Sequence, residues 1–116
     1  MSSNYQKVRQ YHEKFALPLD LPVVPETIAN NRIKFIQEEV DELKQAVADN
    51  NRLKTLDALA DILCVVYGAA AEYGFDMDTA FDRVFKSNMS KSKPADGIGK
   101  LVKGPDYVPV DLTDLV

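Results

Sequence analysis

Cysteine is nearly absent from this chain, which is 116 residues long and contains only Cys64. A single cysteine forms neither an intrachain disulfide nor a cysteine-rich zinc site, and no secretory signal opens the sequence. We therefore expect a reducing, cytoplasmic setting. The longest uncharged run, Ile62–Ala71, is far shorter than the roughly 20 apolar residues that cross a bilayer, so we expect no membrane contact.

Positively charged residues are fewer than negatively charged ones, since the chain has 14 Lys and Arg residues and 18 Asp and Glu residues, which gives a formal net charge of -4. No run of basic residues forms a stripe that would follow a phosphate backbone, so we expect no nucleic-acid partner. The chain is 46% hydrophobic and 28% charged, which is the balance of an ordinary globular protein. The length suits one compact domain, and we predict a single domain over residues 1–116.

Apolar residues at helical spacing predict four helices, which cover about residues 4–15, 26–49, 52–73 and 77–88. Asn51 is suited to begin the third helix and Gly74 to end it. The period-two alternation that is typical of strands is missing. After Met89 the chain is rich in proline and glycine, which break helices. The sequence therefore predicts an all-α fold with a four-helix core over residues 4–89 and an extended C-terminal tail over residues 90–116.

The second predicted helix carries a run of carboxylates, and one of them interrupts its apolar face. At about 100° per residue, Glu39 falls within the apolar arc formed with Ile36 and Leu43. Glu42 lies at the margin of this arc and Glu38 lies further round. A carboxylate on a core-facing arc is costly unless a cation compensates it, so Glu39 is the informative member. The alternative is an ordinary solvated acidic face.

The third predicted helix has a single carboxylate, Asp61, within the apolar segment Ala58–Ala71. A helix that is apolar all round is expected to lie centrally in the fold. Asp57 lies one turn before Asp61 on the same face, so the two carboxylates point the same way. The alternative explanation is structural, with Asp61 paired to one of three nearby cations, Arg32, Lys34 or Lys54.

An antiparallel pairing of these two helices would set their carboxylates opposite each other. The combined set contains only oxygen ligands, which hard ions such as Mg²⁺ or Mn²⁺ prefer, whereas zinc requires more nitrogen and sulfur than His12 and Cys64 provide. Such ions hold substrate phosphates and lower the pKa of a bound water, and a carboxylate that is not fully used as a ligand can take the proton.

The acidic motifs also resemble those of a known superfamily. The E-E-x-x-E run at Glu38 to Glu42 and the DALAD segment ending at Asp61 are similar to the all-α nucleoside triphosphate pyrophosphohydrolases, which include MazG proteins, dimeric dUTPases and phosphoribosyl-ATP pyrophosphohydrolase. The segments ALADILCVVYG, SNMSK and KGPDYVPVDL resemble the phosphoribosyl-ATP-pyrophosphohydrolase-like, MazG-related branch. The resemblance covers most of the chain and implies a four-helix bundle of the MazG-like type.

The resemblance also implies roles for individual residues. Glu38 and Glu39 are expected to be catalytic, and the metal ligands are expected to be Glu39, Glu42, Asp57 and Asp61. Asp57 enters this set because the family's E-x-x-D motif has Ala58 here in place of its glutamate. Asn88 and Lys91, in the SNMSK segment, are expected to contact the nucleotide. The alternative for this last pair is a simple helix end.

The function that the resemblance implies is Mg²⁺-dependent hydrolysis of a nucleotide substrate between its α and β phosphates, with Mn²⁺ as a possible substitute. The products are a nucleoside monophosphate and pyrophosphate, and the expected assembly is a homodimer or homotetramer. The favoured substrate is a (deoxy)nucleoside triphosphate. One alternative is phosphoribosyl-ATP of histidine synthesis, and another is a helical interaction module without enzymatic activity.

Four aromatic rings require a separate interpretation, because a ring can stack on a nucleobase or fill a core. Tyr5, Tyr11, Phe15 and Phe35 all occur within predicted helices. Rings at helical spacing are more often core residues, so we predict core positions for all four.

Overall fold

The computed structural model describes residues 1–116 and contains four α-helices and no β-strand. The helices are α1 (Asn4–Lys14), α2 (Glu26–Ala48), α3 (Arg52–Tyr73) and α4 (Met77–Met89), and a short 3-10 helix covers Thr113–Leu115. The predicted all-α fold with four helices is confirmed. No helix is both long and apolar enough to span a membrane.

Local capping explains where two of these helices begin. At α1, the Ser3 hydroxyl accepts from the Gln6 amide, and the Gln6 side chain accepts in return from the Ser3 amide. This reciprocal capping box satisfies two amides that have no partner inside the helix. At α3, the Asn51 side chain accepts from the Lys54 amide, as the sequence predicted. The same helix ends at Gly74, whose φ of 69° is accessible to glycine with little strain.

The chain divides into two compact units, Met1–Phe75 and Asp76–Val116. In the first unit, α1 and α2 both pack against α3. The pair α2 and α3 is antiparallel, because Arg32, early in α2, bonds to Glu72, late in α3. The single domain over residues 1–116 stays a prediction.

The loop between α1 and α2 is tied to the end of α3. The Asp20 amide donates to the Ala71 carbonyl and the Leu21 amide donates to the Glu72 carbonyl, both at 2.9 Å. These two bonds satisfy carbonyls in the last turn of α3, where intrahelical partners run out. The Asp20 carboxylate also accepts two bonds from the Arg9 guanidinium of α1, at 2.8 and 2.6 Å. The loop therefore fixes the first helix to the third.

The third helix lies centrally in the first unit, since α1 and α2 both pack against it, but it is not buried all round. Its buried residues are mainly small, as at Ala58 and Gly68. Its leucine side chains are exposed instead, with Leu53 at 78% and Leu56 at 66%. The third helix therefore has two different apolar faces, one of small buried residues and one of exposed leucines, which the hydrophobic pattern of the sequence does not distinguish.

The second unit consists of α4 and the C-terminal tail, and the tail folds back along the helix. The Ser87 hydroxyl donates to the Val108 carbonyl at 2.7 Å, and the Arg83 guanidinium pairs with Asp114. A single antiparallel bridge joins Ser92 to Val102. The tail is irregular, as predicted, and side-chain bonds from α4 order it.

Candidate active site

Three carboxylates meet between α2 and α3. One oxygen atom from each of Glu39, Glu42 and Asp61 lies within 4.8 Å of the other two. Glu39 and Glu42 are three residues apart on α2, so they share a face, and Asp61 comes from the antiparallel helix α3. The structure thus brings together three of the four residues that were predicted as metal ligands.

Glu39 lies in an unfavourable position for a charged group without a cation. Its Oε2 atom is buried and has no hydrogen-bond partner. Burial is the largest cause that raises the pKa of Glu39 above its ordinary value, and the neighbouring carboxylates of Glu42, Asp61 and Asp57 raise it further. A buried oxygen surrounded by like charges is costly, and a divalent cation would compensate it. The oxygen-only donor set therefore fits Mg²⁺ or Mn²⁺.

The predicted alternative of a salt bridge from Asp61 to a lysine or arginine is wrong for the single chain, because no Lys or Arg nitrogen lies within 4.0 Å of the three clustered carboxylates. Arg32, which was one proposed partner of Asp61, pairs with Glu72 instead. Lys34 and Lys54 form no ion pair with Asp61 either. The cluster therefore has no protein cation to balance it.

The other two predicted acids lie beside the cluster. Asp57 is exposed, and its charge acts on Glu39, but its oxygens are not among the three that meet. Glu38 is exposed and lines the same cavity as Glu39 and Asp61. Ala58, at the position of the family's missing glutamate, is buried. The roles assigned to Asp57 and Glu38 stay predictions.

A cavity of about 760 Å³ opens in the first unit next to the acids. Its size is typical of sites for small molecules. Acidic, basic and aromatic side chains all contribute to its wall, among them Glu38, Glu39, Asp61, Glu72, Lys7, Arg32, Tyr11, His12 and Phe35. The cavity thus has carboxylates that could bind a cation, together with aromatic rings and positively charged side chains.

The prediction that four aromatic rings belong to the core is correct for one of them. Tyr5 is buried, and its hydroxyl donates to the Phe75 carbonyl at 2.6 Å. Tyr11, Phe15 and Phe35 are exposed, which contradicts the prediction, and Tyr11 and Phe35 line the cavity. Helical spacing identifies one face of a helix, and here that face borders a cavity as well as another helix.

Two groups in the cavity wall were missed by sequence reasoning. His12 is 2% exposed, and its Nδ1 donates to the Pro18 carbonyl at 2.7 Å. From the sequence, His12 was considered only as a zinc ligand, and the pattern of the sequence gives no sign of this partner. Arg32 and Glu72 form a largely buried ion pair. Its only sequence signal was Glu72, a charge at the end of the long apolar run.

Asn88 and Lys91 both lie in the second unit. Asn88 is exposed near the end of α4, and Lys91 is half-buried just after it. The Lys91 amide donates to the Asn88 carbonyl at 3.1 Å, which is a bond of the turn that ends the helix. This geometry agrees with the simple helix-end interpretation, and their contact with nucleotide stays a prediction.

Comparison with known proteins gives two matches. A family model described as phosphoribosyl-ATP pyrophosphohydrolase matches residues 8–88, which include both acidic motifs. An uncharacterized protein of Acanthamoeba polyphaga mimivirus is 36% identical over 83 residues, which is 66% of this chain and 33% of that protein. The chain therefore spans about a third of the length of this curated relative.

The fold and the family match together define the class of protein. Four helices with acidic motifs on the second and third place the chain among the MazG-like all-α nucleoside triphosphate pyrophosphohydrolases. Within that superfamily, the chain belongs to the phosphoribosyl-ATP pyrophosphohydrolase family. The predicted resemblance is therefore confirmed.

Proposed function

We propose that this protein hydrolyses a (deoxy)nucleoside triphosphate between its α and β phosphates, giving a nucleoside monophosphate and pyrophosphate. The observation that carries the proposal is the cluster of Glu39, Glu42 and Asp61, with one buried oxygen that no protein group compensates. The adjoining cavity is large enough for a nucleotide. Family membership supports the pyrophosphohydrolase reaction but leaves the substrate open.

Mg²⁺ is the proposed cofactor, and Mn²⁺ has the same preference for carboxylate oxygens. Glu39, Glu42 and Asp61 would hold it, and Asp57 is the nearby carboxylate available to complete the set. When bound, the ion supplies positive charge to the phosphates and lowers the pKa of a water molecule. The buried Glu39 oxygen is the strongest sign that the residues present fit such an ion.

Glu38 is proposed to accept the proton of the attacking water. It lies in the cavity wall beside Glu39 but outside the three acids that meet, so its carboxylate remains available as a base. The water oxygen forms a new bond to one of the two phosphorus atoms that share the bridging oxygen. The bond from that phosphorus to the bridging oxygen breaks, and its electrons stay with the departing phosphate group. Glu39 is proposed to orient the water from the cluster side.

Phosphoribosyl-ATP is the second candidate substrate, and the description of the matching family favours it. Its triphosphate contains the same α–β bond, so the acidic cluster would perform the same reaction. Phosphoribosyl-ATP differs from ATP in the phosphoribosyl group that is attached to the adenine ring. A homodimer or homotetramer remains part of the proposal for either substrate.

Product analysis tests the proposal directly. The purified protein is incubated with dNTPs, NTPs and phosphoribosyl-ATP, in the presence of Mg²⁺, Mn²⁺ or a chelator. We expect metal-dependent formation of pyrophosphate and the corresponding monophosphate. Release of orthophosphate and a diphosphate would disprove the cleavage position. Absence of turnover with every substrate would favour a helical interaction module.

Two matched variants make this test specific for the cluster. Asp61→Asn removes one clustered carboxylate and is expected to abolish turnover. Asp41→Asn removes an acid of the same helical run as Glu39, but Asp41 bonds to Gln37 and is not one of the acids that meet. We expect Asp41→Asn to retain activity. Equal loss in both variants would argue against a specific role for the cluster.

A further inference from the structure

The cavity wall contains an arginine that is held rigidly by a carboxylate. The Arg32 Nε atom donates to Glu72 Oε1 at 2.9 Å, and Nη2 donates to Glu72 Oε2 at 3.2 Å. The side chains of Arg32 and Glu72 are only 13% and 6% exposed. Both residues line the cavity that the clustered acids border.

Two further contacts restrict the position of this guanidinium. Its Cζ atom lies 5.4 Å from the centre of the Phe35 ring, within the range of a cation–π contact. On the facing helix, a Cβ atom at Gly68 would lie 2.5 Å from Nη1, so any larger residue there would force the guanidinium to move. The absence of a side chain at Gly68 therefore makes room for Arg32 in this position.

Part of the guanidinium remains available to a ligand. Arginine has five N–H donors, and Glu72 accepts one from Nε and one from Nη2. Nη1 has no hydrogen-bond partner in the protein. Because Glu39 Oε2 is the only buried side-chain polar atom without a partner, Nη1 is not buried. Arg32 lines the cavity, so Nη1 reaches solvent there.

Arg32 and the clustered acids are separated by about two turns along α2. Arg32 precedes Glu39 by seven residues, which is about 10 Å along α2 and nearly the same helix face. Gly68, which contacts the guanidinium, follows Asp61 by the same number of residues on α3. If the acids mark the α–β bond, as the proposed function requires, Arg32 meets a part of the substrate that lies away from that bond.

We infer that Arg32 determines substrate specificity by donating from its free guanidinium edge to a carbonyl oxygen or ring nitrogen of the nucleobase. Glu72 acts as a positioning residue for it. A base fits better than a further phosphate because Glu72 already balances the charge of Arg32, which leaves donors without excess positive charge. Tyr11 and Phe35 also line this cavity and offer apolar ring surfaces to a planar base.

A substrate that lacks the base distinguishes a contact of Arg32 with the base from a contact with the phosphates. Ribose 5-triphosphate keeps the α–β bond but has no base acceptor. Arg32→Lys keeps the charge but loses the planar fork, and we expect it to lower kcat/KM for the preferred nucleoside triphosphate by about 10- to 100-fold. The same variant is expected to leave kcat/KM for ribose 5-triphosphate unchanged.

Two results would contradict the assignment. An equal loss with both substrates would show that Arg32 acts on the phosphates or on the fold. A loss confined to phosphoribosyl-ATP, with nucleoside triphosphates unaffected, would place Arg32 at the phosphate of the phosphoribosyl group instead of at the base.

Control variants keep the test valid if Arg32→Lys alters folding. Arg9→Lys disturbs a similar two-bond pair with Asp20 that does not line the cavity, and we expect it to affect neither substrate. Arg32→Met/Glu72→Met removes both charges, so no buried charge is left unpaired and the fold should persist. This double variant must show the same base-dependent loss, with its folding checked by thermal unfolding.

A binding measurement separates this inference from the proposed reaction. If the wild-type protein turns over no triphosphate, the proposed function fails. Calorimetry with nucleoside monophosphates and ribose 5-phosphate then still tests Arg32, because only the former carry a base. Tighter binding of the base-bearing ligand that disappears in Arg32→Lys would support the assignment, and no difference between the two ligands would refute it.

Discussion

Glu39 on α2 and Asp61 on α3 face each other across an antiparallel helix pair, and neither forms an ion pair with a lysine or arginine. Their closest oxygens, together with one from Glu42, fall within 4.8 Å of one another. In the absence of a metal ion, the folded state therefore holds several negative charges together. This repulsion has consequences for stability that can be measured without any substrate.

Mg²⁺ is expected to raise the thermal stability of the wild-type protein. An ion that binds only the folded state stabilises it by about 2.7 kcal/mol when present at 100 times its Kd. Asp61→Asn should be at least as stable as wild type without metal, because one repelling charge is gone, and it should lose most of the Mg²⁺ effect. Differential scanning calorimetry with Mg²⁺ or a chelator measures both. A marked loss of metal-free stability in Asp61→Asn would contradict the prediction.

The metal-free protein is expected to lose part of its stability as the pH rises through the weakly acidic range. The pKa of Glu39 is raised in the folded state, mainly by burial. The folded state therefore holds this proton more tightly than the unfolded state, so deprotonation favours unfolding. The loss should begin near the ordinary pKa of glutamate and be complete above the raised folded value. Urea unfolding across this range should show a smaller decline for Glu39→Gln, and identical slopes would count against the prediction.

The Arg9–Asp20 pair is expected to respond to pH in the opposite direction. The hydrogen bonds from Arg9 lower the pKa of Asp20, so the pair stabilises the fold above the ordinary pKa of aspartate. That contribution is lost as the pH falls through the lowered folded value. Since Asp20 is half exposed, Asp20→Asn should cost only about 0.2 to 1 kcal/mol at neutral pH. The difference between Asp20→Asn and wild type should vanish in strong acid, which urea unfolding at both pH values can test.

The Arg32–Glu72 pair should show strong coupling between its two members. Arg32→Met leaves a nearly buried carboxylate without a partner, and we expect a loss of about 3 to 5 kcal/mol in the free energy of unfolding. Arg32→Met/Glu72→Met should recover most of that loss, because no unpaired charge remains. Chemical denaturation of the two variants provides the comparison. A double variant as unstable as the single one would show that the pair contributes through shape and not through charge.

Ser87 is expected to hold the C-terminal tail against α4. Its hydroxyl donates to the Val108 carbonyl, and the Val108 amide donates to the Ser90 hydroxyl. Ser87→Ala removes the first bond and should cost about 1 kcal/mol locally. Hydrogen exchange at the Val108 amide should become faster, whereas exchange in the middle of α3 should not change. Unchanged exchange at Val108 would mean that other contacts hold the tail.

Local signals were sufficient to predict the helices and the acidic cluster. Asn51 and Gly74 bound α3 as their capping preferences indicate. The short turn after α2 predicted an antiparallel pair, and helical periodicity predicted that Glu39 and Asp61 would face each other, although the predicted ligands also included Asp57, which is not among the acids that meet. Glu39 and Asp61 could therefore be brought together from the sequence, before any three-dimensional information.

The remaining features of the site depend on distant contacts that periodicity does not encode. Arg32 was considered as a partner for Asp61, but it bonds to Glu72, which lies 40 residues away. Whether Arg32 meets Asp61 or Glu72, which are both on α3, depends on the relative position of α2 and α3 along their axes. Tyr11 and Phe35 were assigned to the core, because a pattern of apolar residues does not distinguish a neighbouring helix from a cavity.

The bonds from the α1–α2 loop to the end of α3 join parts of the chain that are synthesised well apart. The Asp20 and Leu21 amides require the carbonyls of Ala71 and Glu72, and the Tyr5 hydroxyl requires the carbonyl of Phe75. On the ribosome, the first helix and the loop after it therefore lack these partners until α3 has emerged. Nascent chains that stop before residue 75 lack the Tyr5 bond, so closure of the first unit is a late event in translation.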